Sequence, residues 1–239
     1  MSPEINGLHH VTAISGAPQC NLDFYVRVLG LRFVKRTVNF DDPSVYHLYY
    51  GDETGAPGTA LTFFPWEHLS PARRGTGEVA QTAFSVPDGS LEFWRERLSR
   101  KGVPHHEPEP RFGELALTLT DPDGLPLALV VAAEPDPRPP WTTPEIGAEH
   151  AVRGFHGVCL TLDDRAATVE LLIDVMGYER ARYLYMARGA PSAWAARPCQ
   201  DCTSGDHRFI LRATARNLFK RRPGRQGGSA QALKRRESE

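Results

Sequence analysis

Cysteine is scarce in this chain: Cys20, Cys159, Cys199 and Cys202 are the only four in 239 residues. The opening MSPEINGLHH has no basic stretch followed by an apolar run. No secretory leader is read there, and a cytoplasmic location with reduced thiols is the expectation. A run of eighteen apolar residues is missing too, so no membrane span is expected. The sequence holds no Walker loop, no GxGxxG fingerprint and no HExxH, GxSxG or EF-hand pattern. The motif basis for phosphate-loop, dinucleotide, zincin, serine-hydrolase or calcium-loop chemistry is therefore absent. Net charge is also lacking, at −1 from 28 basic and 29 acidic residues, which gives no general attraction to nucleic acid or anionic membrane. The balance is uneven, because residues 188–239 carry twelve Lys or Arg against four Asp or Glu. That basic stretch has few interleaved aromatics and matches no recognition module, so no nucleic-acid partner is expected. Cys199 and Cys202 with His207 offer three ligands at most where structural zinc takes four. The strand-to-helix setting of a redox CxxC is missing as well.

What is present is a repeat. Gly7-Leu8-His9-His10-Val11 is followed by Val28-Leu29-Gly30, and Gly154-Phe155-His156-Gly157-Val158 by Val175-Met176-Gly177. Both spacings, Gly7 to Gly30 and Gly154 to Gly177, are 23 positions. Residues 7–14 read as a strand. Pro18 opens a helix whose Leu22, Tyr25, Val26 and Leu29 share a face, with Gly30 as its C-cap. RFVKRTVNF, VYHLYY and TALTFF are three further strands parted by turn-rich segments. The order β-α-β-β-β then recurs with EVAQTAFSV, a helix over 90–101, ELALTLT and PLALVV. A Pro-rich connector spans 135–147 and marks a boundary. A third unit begins at Gly154, with a helix over 164–176. The pattern decays near Tyr183-Leu184-Tyr185, which reads as the start of a strand. ILRATARNLF in the tail reads as a short basic amphipathic helix. The fold class is α+β with repeated βαβββ modules, two complete and one partial, and a disordered basic tail. The expected division is 5–132 for two modules, 133–150 for the connector, 151–185 for the partial third module and 186–239 for an unstructured tail.

Among candidate site residues, His9 and His10 lie on the first strand. Neighbouring strand residues face opposite ways, so one imidazole can reach a cavity and bind Fe(II), Mn(II) or Zn(II) while the other packs or hydrogen-bonds. An oxygen-activating centre takes two His and one carboxylate with open positions, and no carboxylate ends a strand convincingly. Glu67 and Glu114 are the carboxylates considered for that place. His47 is a further ligand or neighbouring-group candidate, and His105-His106 reads as a solvated loop. The aromatics of the first unit, among them Phe33, Tyr49, Phe64 and Trp66, read as core packing or as the lining of a cavity for an aromatic ligand.

GLHHVTAISG, the segment from Asp23 to Pro65, RGTGEVAQTAFSVPDGSLEFWRERL, RFGELALTLTDPDGLPL and EHAVRGFHGV together resemble the vicinal-oxygen-chelate superfamily. Within it they look like ring-cleaving 1,2-dioxygenases of hydroquinones, over about residues 5–182. The resemblance implies four βαβββ modules and extradiol-type cleavage of a small aromatic diol by O₂ at one Fe²⁺ or Mn²⁺. It implies His10 as a metal ligand, His9 and Thr12 as catalytic neighbours, and a further His and Glu from a last module that has no match here. Past about residue 182 the chain looks truncated, or like a GC-rich frame translated out of phase. Poor or absent activity of the chain alone is therefore expected. Two other readings stay open: a non-catalytic binder of small aromatics, and a glyoxalase-like isomerase or lyase that completes its metal site across a homo-oligomer.

Overall fold

A computed structural model describes residues 7–70, 73–111, 113–176 and 178, together with the backbone of 207–212. β1 (His10–Ser15) leads into α1 (Pro18–Leu22), which continues as wider π-helical turns over Asp23–Val28. Pro18 suits the first helical turn, where its missing N–H has no partner to lose. Gly30, at φ +69°, ends the helix in a conformation that side chains disfavour. β2 (Arg32–Val38), β3 (Tyr46–Gly51) and β4 (Ala60–Pro65) complete the first module. Module two repeats it with β5 (Glu78–Val86), α2 (Leu91–Arg100), β6 (Glu109–Arg111), β7 (Glu114–Thr120) and β8 (Pro126–Val131). The third begins with β9 (Gly154–Leu162) and α3 (Ala166–Glu170), again with a π-helical extension over Leu171–Val175. The protein is thus α+β, with two full βαβββ modules and one partial.

The strands form two sheets. Sheet A has the order β1-β4-β3-β2, and β1 runs parallel to β4. Sheet B has the order β10-β9-β5-β8-β7-β6, so it joins strands from both sides of the Pro-rich connector. β10 (His207–Arg212) lies antiparallel on β9. This corrects the helix expected over ILRATARNLF: Ile210, Leu211 and Arg212 are strand residues, held by the β9 ladder rather than by local propensity. The rest of that stretch, and Tyr183-Leu184-Tyr185, lie outside the described residues, as does the 186–239 tail apart from β10. No helix among the described residues is long and apolar enough to cross a membrane.

One main core lies between the helices and the sheets. Tyr25, Tyr50 and Phe63 are buried, with Tyr25 ring centroids 5.2 and 4.7 Å from the other two. Trp94 and Leu98 of α2 are fully buried beside Leu117, Leu127 and Leu129. Trp94 Nε1 donates to the His150 carbonyl at 2.9 Å, which satisfies the one polar atom of that ring. The modules are tied by buried arginines. Arg97 of α2 donates to the Val28 and Arg27 carbonyls at 2.8 and 2.7 Å, closing the end of the first helix where carbonyls lack intrahelical partners. Arg138 of the connector donates to Gly58 in module one at 3.0 Å and to Phe155 on β9 at 2.8 Å.

Candidate metal and ligand site

Period two sets the two faces of β1. Val11 and Ala13 pack against the core, while His10, Thr12 and Ile14 are exposed on the outer face. The ladder registers extend this face across sheet A. Thr12 sits opposite Thr62 on β4, and Thr62 opposite Tyr49 on β3. Thr12 and Thr62 share a hydroxyl hydrogen bond of 2.8 Å. His10 lies beside Ala60, and Ile14 beside Phe64.

His9 precedes β1 and stays exposed rather than packing inward. Its carbonyl accepts from Gly58 N at 2.8 Å, which anchors the strand's entry. Its Nδ1 is 3.1 Å from Nδ1 of His10, with the rings edge to face, so the N–H of one ring donates to the lone pair of the other.

His47 belongs to the same outer face. Its ring centroid is 4.1 Å from that of Tyr49 and 4.1 Å from that of Phe64. Its Nδ1 is bonded to the Tyr49 hydroxyl at 2.8 Å. Its Nε2 is shielded and has no hydrogen-bond partner. Burial lowers the pKa of this imidazole, and the nearby charges of Lys35 and His10 lower it further. The Lys35 ammonium lies 4.4 Å from the centroid of the Tyr49 ring. Alternation along β3 sets His47 and Tyr49 on one face. Their meeting with Thr12 and Thr62 depends on register between strands far apart in sequence.

Among the described residues no carboxylate completes a group of three metal ligands on this face. Glu114, at the start of β7 in sheet B, is buried; it lies 3.1 Å from Nε2 of His156 and accepts from Ala133 N at 3.1 Å. Glu67 is exposed just beyond β4. His105 is bonded to the Val103 carbonyl at 2.8 Å and lies 3.3 Å from Ser99 Oγ, while His106 is exposed. Cys199 and Cys202 lie outside the described residues. No group of three or more His, Cys, Asp or Glu able to hold a metal occurs among the described residues. One imidazole where three donors are needed does not fit an iron or manganese centre on its own. A separate crevice between the modules, lined by Gly30, Gly51, Phe84, Trp141 and Gly154 among others, does not include His10.

Residues 7–129 match the model of the Glyoxalase/Bleomycin resistance protein/Dioxygenase superfamily. Over 180 residues the chain is 46% identical to the "Putative ring-cleaving dioxygenase MhqO" of Bacillus subtilis (strain 168), covering 75% of this chain and 57% of that protein. It is 36% identical over 162 residues to the chlorohydroquinone/hydroquinone 1,2-dioxygenase of Sphingobium indicum, covering 66% of this chain and 50% of that one. The crystal structure of a "putative dioxygenase" from Bacillus subtilis superposes with a TM-score of 0.71 at 39% identity, over 89% of this chain and 65% of that one. The chain thus spans little more than half the length of the curated relatives it matches.

Proposed function

Because the chain belongs to the Glyoxalase/Bleomycin resistance protein/Dioxygenase superfamily, we propose that it carries the amino-terminal modules of a ring-cleaving dioxygenase for hydroquinone-like diols. The observation that carries this reading is the 46% identity to a ring-cleaving-dioxygenase relative over 180 residues, taken with the exposed His10–Thr12 face of β1. In this reading His10 is one donor to a divalent iron or manganese. That metal, when fully ligated, supplies the binding and activation of diol and O₂. The described residues provide one donor of the three, so no turnover is assigned to them alone. Their part is to bind and orient. Thr12, fixed by Thr62, orients a ligand oxygen. His9, hydrogen-bonded to His10, exchanges a proton with a ligand hydroxyl. The aromatic rings of Tyr49 and Phe64 border the ring of the diol.

Hydroquinone-dependent O₂ uptake by the purified chain, measured with its iron content, tests the proposal. Little iron and no uptake are expected from the chain alone. Grafting onto it the carboxy-terminal portion of the Bacillus relative that lies beyond the matched residues should confer both, and a graft that folds and binds iron without uptake would refute the ring-cleaving assignment. The face made by exposed His10 and Thr12 and half-buried Tyr49 also supports a second reading, a non-catalytic binder of small phenols. It predicts saturable quenching of tryptophan fluorescence by hydroquinone with no O₂ consumed, in the chain and in the graft alike.

A further inference from the structure

The outer edge of β1 has no partner strand among the described residues. Its backbone direction follows from two hydrogen bonds. Gly58 N donates to the His9 carbonyl and Trp66 N to the Ser15 carbonyl, both at 2.8 Å, so these odd-numbered residues turn their polar groups toward β4. By alternation, His10, Thr12 and Ile14 aim their N–H and C=O groups at the open edge. Their side chains are exposed on the outer face, Ile14 to 57%. An open edge that also exposes an isoleucine is a template for strand addition.

The chain itself shows how such an edge is filled. β5 takes in module two the place of β1 in module one. Both run parallel to the last strand of their module, and both pairings reach the strand end, Ser15 opposite Pro65 and Val86 opposite Val131. His10, Val11 and Thr12 therefore occupy the places of Gln81, Thr82 and Ala83. The outer edge of β5 pairs antiparallel with β9, setting Gln81 opposite Cys159, Thr82 opposite Val158 and Ala83 opposite Gly157. β9 is itself the first strand of its module. The repeat of Gly7-Leu8-His9-His10-Val11 as Gly154-Phe155-His156-Gly157-Val158 puts Gly157 in the place of His10 and Val158 in that of Val11. When both strands are β1, this register becomes self-complementary: Val11 faces Val11 and His10 faces Thr12, about a two-fold axis at Val11. That is the symmetry an isologous dimer requires.

We propose that the chain forms a two-fold dimer by antiparallel pairing of β1 with β1 of a second copy, fusing two four-stranded sheets into one continuous sheet. His10 of each copy then lies opposite Thr12 of the other. The two His10 residues become diagonal neighbours, about 7–8 Å apart at Cα, so the outer face gains a second imidazole that one copy lacks. This inference is independent of the ring-cleaving reading, because it is decided by mass and cross-linking without diol, O₂ or metal.

Sedimentation equilibrium of the full chain in EDTA, over a concentration series, should give a species of twice 26.5 kDa. The polar groups of Val11 point to β4, so the Val11 pair is of the non-hydrogen-bonded kind, with Cα atoms about 4.5 Å apart, inside disulfide range. Val11→Cys should therefore oxidise to a reducible covalent dimer well beyond any formed by the parent chain in parallel. Thr12→Cys, whose twin is diagonal, should not. Ile14→Lys puts a charge on an exposed edge residue without touching the core. It should shift the mass to 26.5 kDa with unchanged far-UV circular dichroism. A parent that sediments as a single chain at every concentration would overturn the proposal. So would a dimer that Ile14→Lys leaves intact and Val11→Cys does not cross-link, because it would use another surface.

Discussion

Replacing Arg138 by methionine should be among the most damaging single changes in the described fold. Arg138 and Asp136 form a buried ion pair, their side chains 8% and 7% exposed. The guanidinium also donates to the carbonyls of Gly58 and Phe155, on different modules. Burial alone would push the Asp136 carboxyl up, but hydrogen bonds and charge from Arg138 hold it below the ordinary value. Arg138→Met removes the partner and leaves a buried carboxylate, a change that costs about 3–5 kcal/mol. With total stabilities of about 5–15 kcal/mol and urea slopes of about 1–3 kcal/mol/M, the urea midpoint should fall by roughly 1 M or more. The pH dependence supplies a second check. In the parent, a depressed Asp136 pKa contributes stability that is fully present above the unfolded-state pKa and is lost as pH falls through the folded one. In the variant burial dominates and the folded pKa rises above the unfolded one, so the damage is full above that raised pKa and is partly relieved as pH falls from it toward the unfolded value. The double variant Asp136→Asn/Arg138→Met should be more stable than Arg138→Met at pH 7, because no orphan charge remains. An Arg138→Met midpoint at pH 7 equal to the parent's would refute the reasoning.

Three further outcomes follow from the packing. Gly154 sits at φ +140°, and an added Cβ would lie 2.9 Å from the Gly58 carbonyl oxygen, whereas at Gly89 it would meet open space. Gly154→Ala should therefore cost clearly more than Gly89→Ala in paired thermal melts, by upward of about 1 kcal/mol. Tyr25→Phe removes the donor to Asp121 at 2.8 Å and should cost about 1–3 kcal/mol. Burial already raises the Asp121 carboxyl, and losing this donor raises it further. The cost should therefore be smaller at low pH, with Asp121 protonated, and grow as pH rises through the folded pKa, a trend that urea midpoints at pH 4 and 7 would read. Trp94→Ala empties a fully buried site and should cost about 3–5 kcal/mol, read by the loss of cooperative unfolding at mild heating.

Much of the fold is legible residue by residue. The bounds of β5, β7 and β8 coincide with EVAQTAFSV, ELALTLT and PLALVV. The turn between β7 and β8 announces itself too: Asp121 accepts from Asp123 N and Leu125 N, and Gly124 takes φ +85°. β6 is silent in sequence because Glu109-Pro110-Arg111 carries no apolar alternation. It exists by pairing with β7 at a sheet edge, where a proline is tolerated. The π-helical extensions of α1 and α3 leave no mark in composition either. Of the candidate site, the shared face of His10 and Thr12 follows from period two, while its outward direction is set by Val11 and Ala13 packing on the core. The grouping of Thr12 with Thr62 and Tyr49, and the pairing of Glu114 with His156 away from His10, depend on strand register that a single sequence does not encode locally. Arg138 holding Gly58 and Phe155 is invisible for the same reason.

Iron binding by the purified chain, compared with its His10→Ala variant after anaerobic Fe(II) loading and gel filtration, tests the central claim most directly. With one donor in place of three, the account predicts far less than one iron retained per chain. It predicts no hydroquinone-dependent O₂ uptake in either protein. One tightly held iron per parent chain, lost in His10→Ala together with O₂ uptake, would contradict it.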